Sequence, residues 1–189
     1  MERYVLTRYA EAPAGTRAVY DEFMRLCGAE EPPLWLASLG HNPRLVKAYW
    51  EKARVCLLEG ELPRRFKELV ALVVARENRA HYSEAYHAHA VLQLDPRLRL
   101  HDLDTVLDDH STVELSIPQR LALRFAVRMA RDAHSVTDDD FDALAQAGFA
   151  PALINELLGV IDFAMMFSCY TTGMRLPVEP WHANGQRGH

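Results

Sequence analysis

Apolar residues along this chain recur three and four positions apart, and no convincing alternating stretch interrupts them, so the pattern predicts helices throughout. The first is expected to start at Thr16 as its cap, to run through Tyr20, Phe23, Met24 and Cys27, and to close at Gly28. A short helix is expected over 34–39, after Pro32-Pro33. Asn42-Pro43 opens the next, Asn as the cap and Pro at the first helical position, with Leu45, Tyr49, Ala53 and Cys56 marking one face and Gly60 the end. Pro63 starts a helix whose face carries Phe66, Leu69, Val70 and Val73. Asn78 is its expected C-cap, because Asn tolerates the left-handed conformation. Another helix runs to about Gln93, before the turn at Asp95-Pro96.

The second half follows the same grammar. Residues 97–113 carry a weaker signal, a short helix over 101–107 inside a segment expected to be mobile or interfacial. Ser116-Ile117-Pro118-Gln119 reads as a capping box with Pro in the first turn. In the helix it opens, Leu121, Phe125 and Met129 form one stripe, and Arg120, Arg124, Arg128 and Arg131 another. Thr137 with Asp138, Asp139 and Asp140 starts the next, the carboxylates suiting the positive helix end, and Gly148 stops it. Pro151 opens the last long helix, through Leu157, Ile161, Met165 and Cys169 to about Thr172. The expectation is a single all-α domain of seven or eight helices over 1–175, followed by a mobile tail over 176–189.

Composition narrows the class without identifying it. At 189 residues and 49% hydrophobic the chain can bury one real core. A net charge of -5 argues against a general nucleic-acid binder. The N-terminus is charged where a signal peptide needs an apolar run, and no uncharged run approaches the length of a membrane span. The three cysteines have no CxxC spacing and suggest no disulfide framework. A cytoplasmic protein with no membrane partner is the expectation.

The chemistry concentrates in Asn78-Arg79-Ala80-His81-Tyr82-Ser83-Glu84-Ala85-Tyr86-His87. On a helix, Ala80, Ser83 and His87 share one stripe, and Glu68 lies twelve residues before Ala80. This arrangement resembles the alkylhydroperoxidase-D and carboxymuconolactone decarboxylase superfamily, whose redox members carry Glu and, twelve residues on, Cys-x-x-Cys-x-x-x-His. Glu68 and His87 match, while Ala80 and Ser83 stand at the cysteine positions. The segments 42–50, 62–69, 123–126 and 136–138 also resemble the superfamily, so the similarity extends over about 35–179. Ser168 and Cys169 stand where many relatives carry Asn-Arg. The resemblance implies an alkylhydroperoxidase-D-like helical fold that assembles as a homo-oligomer, a trimer or hexamer.

A dithiol peroxidase needs one thiolate to attack peroxide and a second thiol to resolve the product. Ala80 has no reactive atom and the Ser83 hydroxyl is far too weak an acid, so that cycle is not expected at these positions. The resemblance gives Glu68 and His87 the proton-relay positions, and an imidazole can exchange a proton near neutral pH. Each has a plainer reading: His87 as a core-edge histidine satisfied by a carbonyl, Glu68 as a surface pair with Arg64 at i, i+4 spacing. Ser83 is a candidate nucleophile if His87 acts as its base, or a helix serine bonded back to its own carbonyls. Ala80 and Tyr82 are assigned to the pocket wall, Tyr82 with packing as its alternative.

His81, Glu84, His87 and His89 invite a metal reading, but Glu84-x-x-His87 has no second helical pair to complete a carboxylate-bridged site. No metal and no cofactor are expected. The arginine stripe reads as a solvated face, or as one paired with acids across a subunit boundary. The function that fits is acid–base chemistry on a small carboxylated molecule by Glu68 and His87, with Ser83 and Tyr82 positioning it and Arg79 or a neighbouring subunit holding its anion. The alternatives are a non-catalytic ligand-binding or assembly protein, and a peroxidase using a relocated cysteine such as Cys56 or Cys169. Three small core residues is the plainer reading of Cys27, Cys56 and Cys169.

Overall fold

The computed structural model describes residues 3–180, and all its regular elements are helical. Nine α-helices follow in order among these residues: α1 (Ala14–Cys27), α2 (Leu34–Leu39), α3 (Pro43–Ala53), α4 (Arg64–Glu77), α5 (His81–Leu94), α6 (Leu100–Asp104), α7 (Ile117–Arg131), α8 (Asp138–Gln146) and α9 (Pro151–Met174). The short α2 and α6 both form, which carries the number past the seven or eight expected.

Helix α4 is the axis of the molecule. Every residue from Phe66 to Ala75 is buried, Lys67 and Glu68 included. A helix apolar on nearly all sides needs neighbours on all sides, and α5, α7 and α9 pack around it. Glu68 is therefore not at the edge of an amphipathic face, and no ion pair with Arg64 forms among the described residues. Helix α9 is long and apolar enough to cross a membrane by length and composition. Its Leu157, Val160, Ile161, Ala164 and Phe167 are buried, and it carries Glu156, paired with Lys67, and Asp162, 2.7 Å from Lys52.

Local signals set most helix starts. The Asn42 side chain accepts the Leu45 N–H at 3.1 Å with Pro43 in the first turn. The Ser116 box closes on Gln119 at 3.3 and 3.0 Å, and Thr137 forms one with Asp140. Elsewhere tertiary contacts move the boundaries. Helix α1 starts at Ala14 behind Pro13, and Thr16, expected as its cap, is buried inside it, donating its hydroxyl to the Gly40 carbonyl at 2.8 Å. Helix α3 turns Val46, Trp50 and Ala53 inward and leaves Leu45 exposed, because the Trp50 indole is anchored on Glu22 at 2.7 Å. It continues as a π-helical turn over Arg54–Leu58.

Residues 97–113 touch the core at several points. Leu103, Val106 and Val113 are buried, and the Arg76 guanidinium donates to the Leu103 carbonyl and to Asp104 at 3.1 Å. The arginine stripe of α7 is spent on groups of the same chain: Arg120 on the Asp108 carbonyl, Arg124 on Asp109, Arg128 on Asp140 and Arg131 on Glu77. The segment assigned to the tail begins docked, with Leu176 and Glu179 buried, and 181–189 lie outside the described residues.

Candidate functional site

A tight reversal between α4 and α5 creates the site. Arg79, not Asn78, takes the left-handed conformation, with φ 52°, while Asn78 stays right-handed. The Ala80 N–H reaches back to the Ala75 carbonyl at 2.9 Å and the Arg79 N–H to that of Arg76 at 2.9 Å, a Schellman closure. A side chain other than glycine in this conformation costs about 1 kcal/mol, and the double closure holds it there. The two helices consequently fold back on each other, and one turn of each meets across the interface.

Glu68 and His87 are the residues that meet. The carboxylate Oε2 lies 2.8 Å from the imidazole Nδ1, a hydrogen bond inside the core, with the His87 side chain 0% and the Glu68 side chain 3% exposed. The His87 ring stands edge-on to Tyr86 at 5.5 Å and to Phe167 at 5.6 Å. With Nδ1 held by Glu68, the second nitrogen, Nε2, is buried and has no hydrogen-bond partner among the described residues. A carbonyl-satisfied core histidine is thus not what the structure contains.

The other predicted residues fall around this pair. Ser83 is wholly buried one turn before His87, with the Ser168 hydroxyl of α9 at 3.5 Å. Ala80 is buried at the start of the same helix. The Tyr82 ring packs on Tyr86 at 6.3 Å and Phe167 at 6.1 Å, the aromatics beside His87, while its hydroxyl turns outward. Its hydroxyl donates to Glu179 at 2.9 Å and accepts the Trp35 N–H at 3.3 Å, so it braces α5 against α2 and the C-terminal segment. Burial raises its pKa well above 10.0, with the Glu179 charge adding to the effect. Burial does the same for Tyr86, helped by Cys27 and Glu68, so both hydroxyls keep their protons at neutral pH.

Arg79 is not part of this neighbourhood. It lines a groove with Val73, Arg76, Val106 and Arg131. Glu84 pairs with Arg76 at 2.9 Å instead of turning toward a metal, and no group of three or more potential metal ligands gathers among the described residues.

Arg64 and Cys27, expected only as a surface partner for Glu68 and as a core residue, stand together near Glu68. Arg64, one turn before it on α4, lies against the thiol of Cys27 at the end of α1. Burial raises the Cys27 pKa, Arg64 pulls it down and Glu68 pushes it up. Burial likewise raises that of Cys56. The three cysteines are not uniformly core residues, since Cys56 is buried, Cys27 half-buried and Cys169 exposed. Spacing along α4 places Arg64 near Glu68, but nothing in the sequence reveals that α1 ends there.

A buried carboxylate–imidazole pair thus sits on an antiparallel helix hairpin inside an all-helical bundle, with nine α-helices among the described residues. Solved structures share this fold along almost the whole chain. An uncharacterized peroxidase-related protein from Silicibacter sp. TM1040 matches with a TM-score of 0.80 and 23% identity, over 96% of this chain and 95% of that one. An alkylhydroperoxidase AhpD core protein, peroxidase-related and uncharacterized, from Ralstonia eutropha JMP134 matches at 0.80 and 21%, over 99% and 97%. The debrominase Bmp8 matches at 0.76 and 15%, over 91% and 90%. The chain has the alkylhydroperoxidase-D-like fold, the one its Glu68/His87 spacing resembles. No protein-family model matches the chain, and no curated protein matches it in sequence.

Proposed function

We propose that the protein performs acid–base chemistry on a small carboxylated molecule, in the manner of the decarboxylase branch of the superfamily, with His87 transferring the proton through Nε2. The observation that carries this reading is the asymmetry of the imidazole: Nδ1 engaged by Glu68 at 2.8 Å, Nε2 buried and uncommitted. A carboxylate on one ring nitrogen fixes the tautomer and the orientation, and leaves the other nitrogen for the reacting group. Glu68 is then the tuning partner, stabilising positive charge on the ring when the proton is taken up. Ser83, with Ser168 beside it, is a polar contact for the substrate rather than a nucleophile, and Ala80 is part of the wall. Tyr82 acts on this site indirectly, by holding α5 in place.

The dithiol peroxidase cycle has no thiols to use at Ala80 and Ser83, which fits a superfamily site kept for proton transfer and stripped of its redox pair. A homo-oligomer in the cytoplasm goes with this reading, and in it a neighbouring subunit supplies part of the wall. The alternative, a non-catalytic ligand-binding or assembly protein, draws its support from the complete enclosure of Glu68 and His87.

Turnover of carboxylated lactones and reduction of hydroperoxides by the native protein, His87→Ala and Glu68→Ala separate these readings. Loss of a positioned general acid–base costs about 10²–10⁴ in rate. The expected result is lactone turnover that falls by about 100-fold or more in His87→Ala and by less in Glu68→Ala. Turnover that survives both substitutions removes the proposed site, and a folded native protein with no turnover on any such substrate favours the binding reading.

A further inference from the structure

Arg64 differs from the other inward-reaching arginines of this molecule. Arg76 is held by Glu84 and Asp104, Arg54 by Glu59 and Glu22, and Arg65 by Asp95. Arg54, Arg64 and Arg65 each have a buried Nε without a hydrogen-bond partner, but Arg64, half-buried, is the one of the three with no carboxylate within ion-pair distance among the described residues. The nearest acid along its helix, Glu68, spends Oε2 on His87. A buried guanidinium N–H without an acceptor is costly, on the order of 1–3 kcal/mol, and an oxyanion taken up from solution removes that cost. The planar fork of a guanidinium matches a carboxylate with two parallel bonds.

Its surroundings say where such an anion would sit. Arg64 lies against the Cys27 thiol, Glu68 acts on that same thiol, and Tyr86 feels both Cys27 and Glu68. Tyr86 in turn stands edge-on to the His87 ring. The five side chains, drawn from α1, α4 and α5, are one neighbourhood. The neighbourhood meets the surface at Cys27, which is half-buried where His87 is wholly enclosed.

We infer that Arg64 is the oxyanion-binding residue of the Glu68–His87 site, receiving the carboxylate of a small substrate beside the Cys27 thiol. The assignment rests on the proton-transfer reading for its biological meaning, but anion binding at Arg64 is testable without turnover. It moves the anion-holding role from Arg79, on another groove, to a residue one helical turn from the proton-transferring pair.

Two small alkylating reagents of nearly equal size provide the test. Iodoacetate and iodoacetamide both form a sulfur–carbon bond with a thiolate and release iodide, the thiol proton going to solvent, and only iodoacetate carries a carboxylate. Mass spectrometry of the intact folded protein gives the rate of each reagent at Cys27 and at Cys169, the exposed internal reference. The expected iodoacetate-to-iodoacetamide ratio at Cys27 is about 10-fold or more above that at Cys169. It should fall to the Cys169 value in Arg64→Gln, persist in part in Arg64→Lys, and be suppressed in the native protein by benzoate but not by benzamide. A native ratio at Cys27 equal to that at Cys169, or one insensitive to benzoate, overturns the assignment; the benzoate comparison needs no variant to fold. If the carboxylate selectivity is present and lactone turnover is absent, Arg64 binds anions and the catalytic reading alone fails.

Discussion

At the residue scale, the site depends on which buried polar groups are already partnered. Glu179 and Tyr82 satisfy each other and the α2 N-terminus, whereas His87 and Arg64 each keep one buried nitrogen uncommitted. The Glu179 carboxyl has its pKa raised, mainly by burial, against the lowering effect of the Leu34 N–H and the Tyr82 hydroxyl. A carboxyl raised in the folded state contributes stability that is complete below its unfolded value, near 4.5, and is lost as pH rises through the folded value. Glu179→Gln keeps an oxygen acceptor and removes the buried charge. Urea midpoints of this variant, relative to the native protein, should therefore improve steadily from pH 4 to pH 7. A pH-independent difference would show that burial does not act on Glu179 in this way.

At the element scale, the turns carry as much as the helices. Gly60 has φ +96°, and a β-carbon there would lie 2.3 Å from the Glu156 carboxylate, which caps the Glu61 and Leu62 N–H groups at 2.9 and 3.1 Å. Gly60→Ala should lower stability by about 2 kcal/mol, from backbone strain and displacement of that carboxylate, seen as a reduced urea midpoint. Ser116→Ala should cost about 1 kcal/mol through loss of the α7 cap. Signals of this kind, Asn42-Pro43, Ser116 with Gln119, Thr137 with Asp140, were legible in the sequence because a cap is completed within one turn of chain. The Glu68–His87 meeting was suggested by the resemblance of their spacing, whereas the residues alone left Glu68 equally readable as a surface partner of Arg64. Cys27 beside Arg64 and Glu179 beside Tyr82 were not legible. Each joins residues far apart in sequence, and only the packing of whole helices brings them together.

At the scale of the whole molecule, α4 is the pillar, and its buried charges tie outer elements to it. Lys67, enclosed in the core, is held by Glu156 of α9 and by the Glu59 carbonyl. Burial alone would raise the Glu156 pKa, but Lys67 and the two turn N–H groups outweigh it and bring it below 4.5. Stability from this group is then present above pH 4.5 and lost as pH falls through the depressed folded value. The native protein should lose urea resistance in acid more steeply than Glu156→Gln, the two converging at low pH; parallel curves would contradict this. Lys67→Met, which strands the carboxylate, should cost about 3 kcal/mol at neutral pH. The enclosure of His87 extends the same logic to time. A proton shared between Nδ1 and Glu68, walled off by Tyr86, Phe163 and Phe167, can trade with water only when the bundle breathes. It should persist as a separate, far-downfield line in proton magnetic resonance, and its disappearance on warming would clock how often α4 and α5 part.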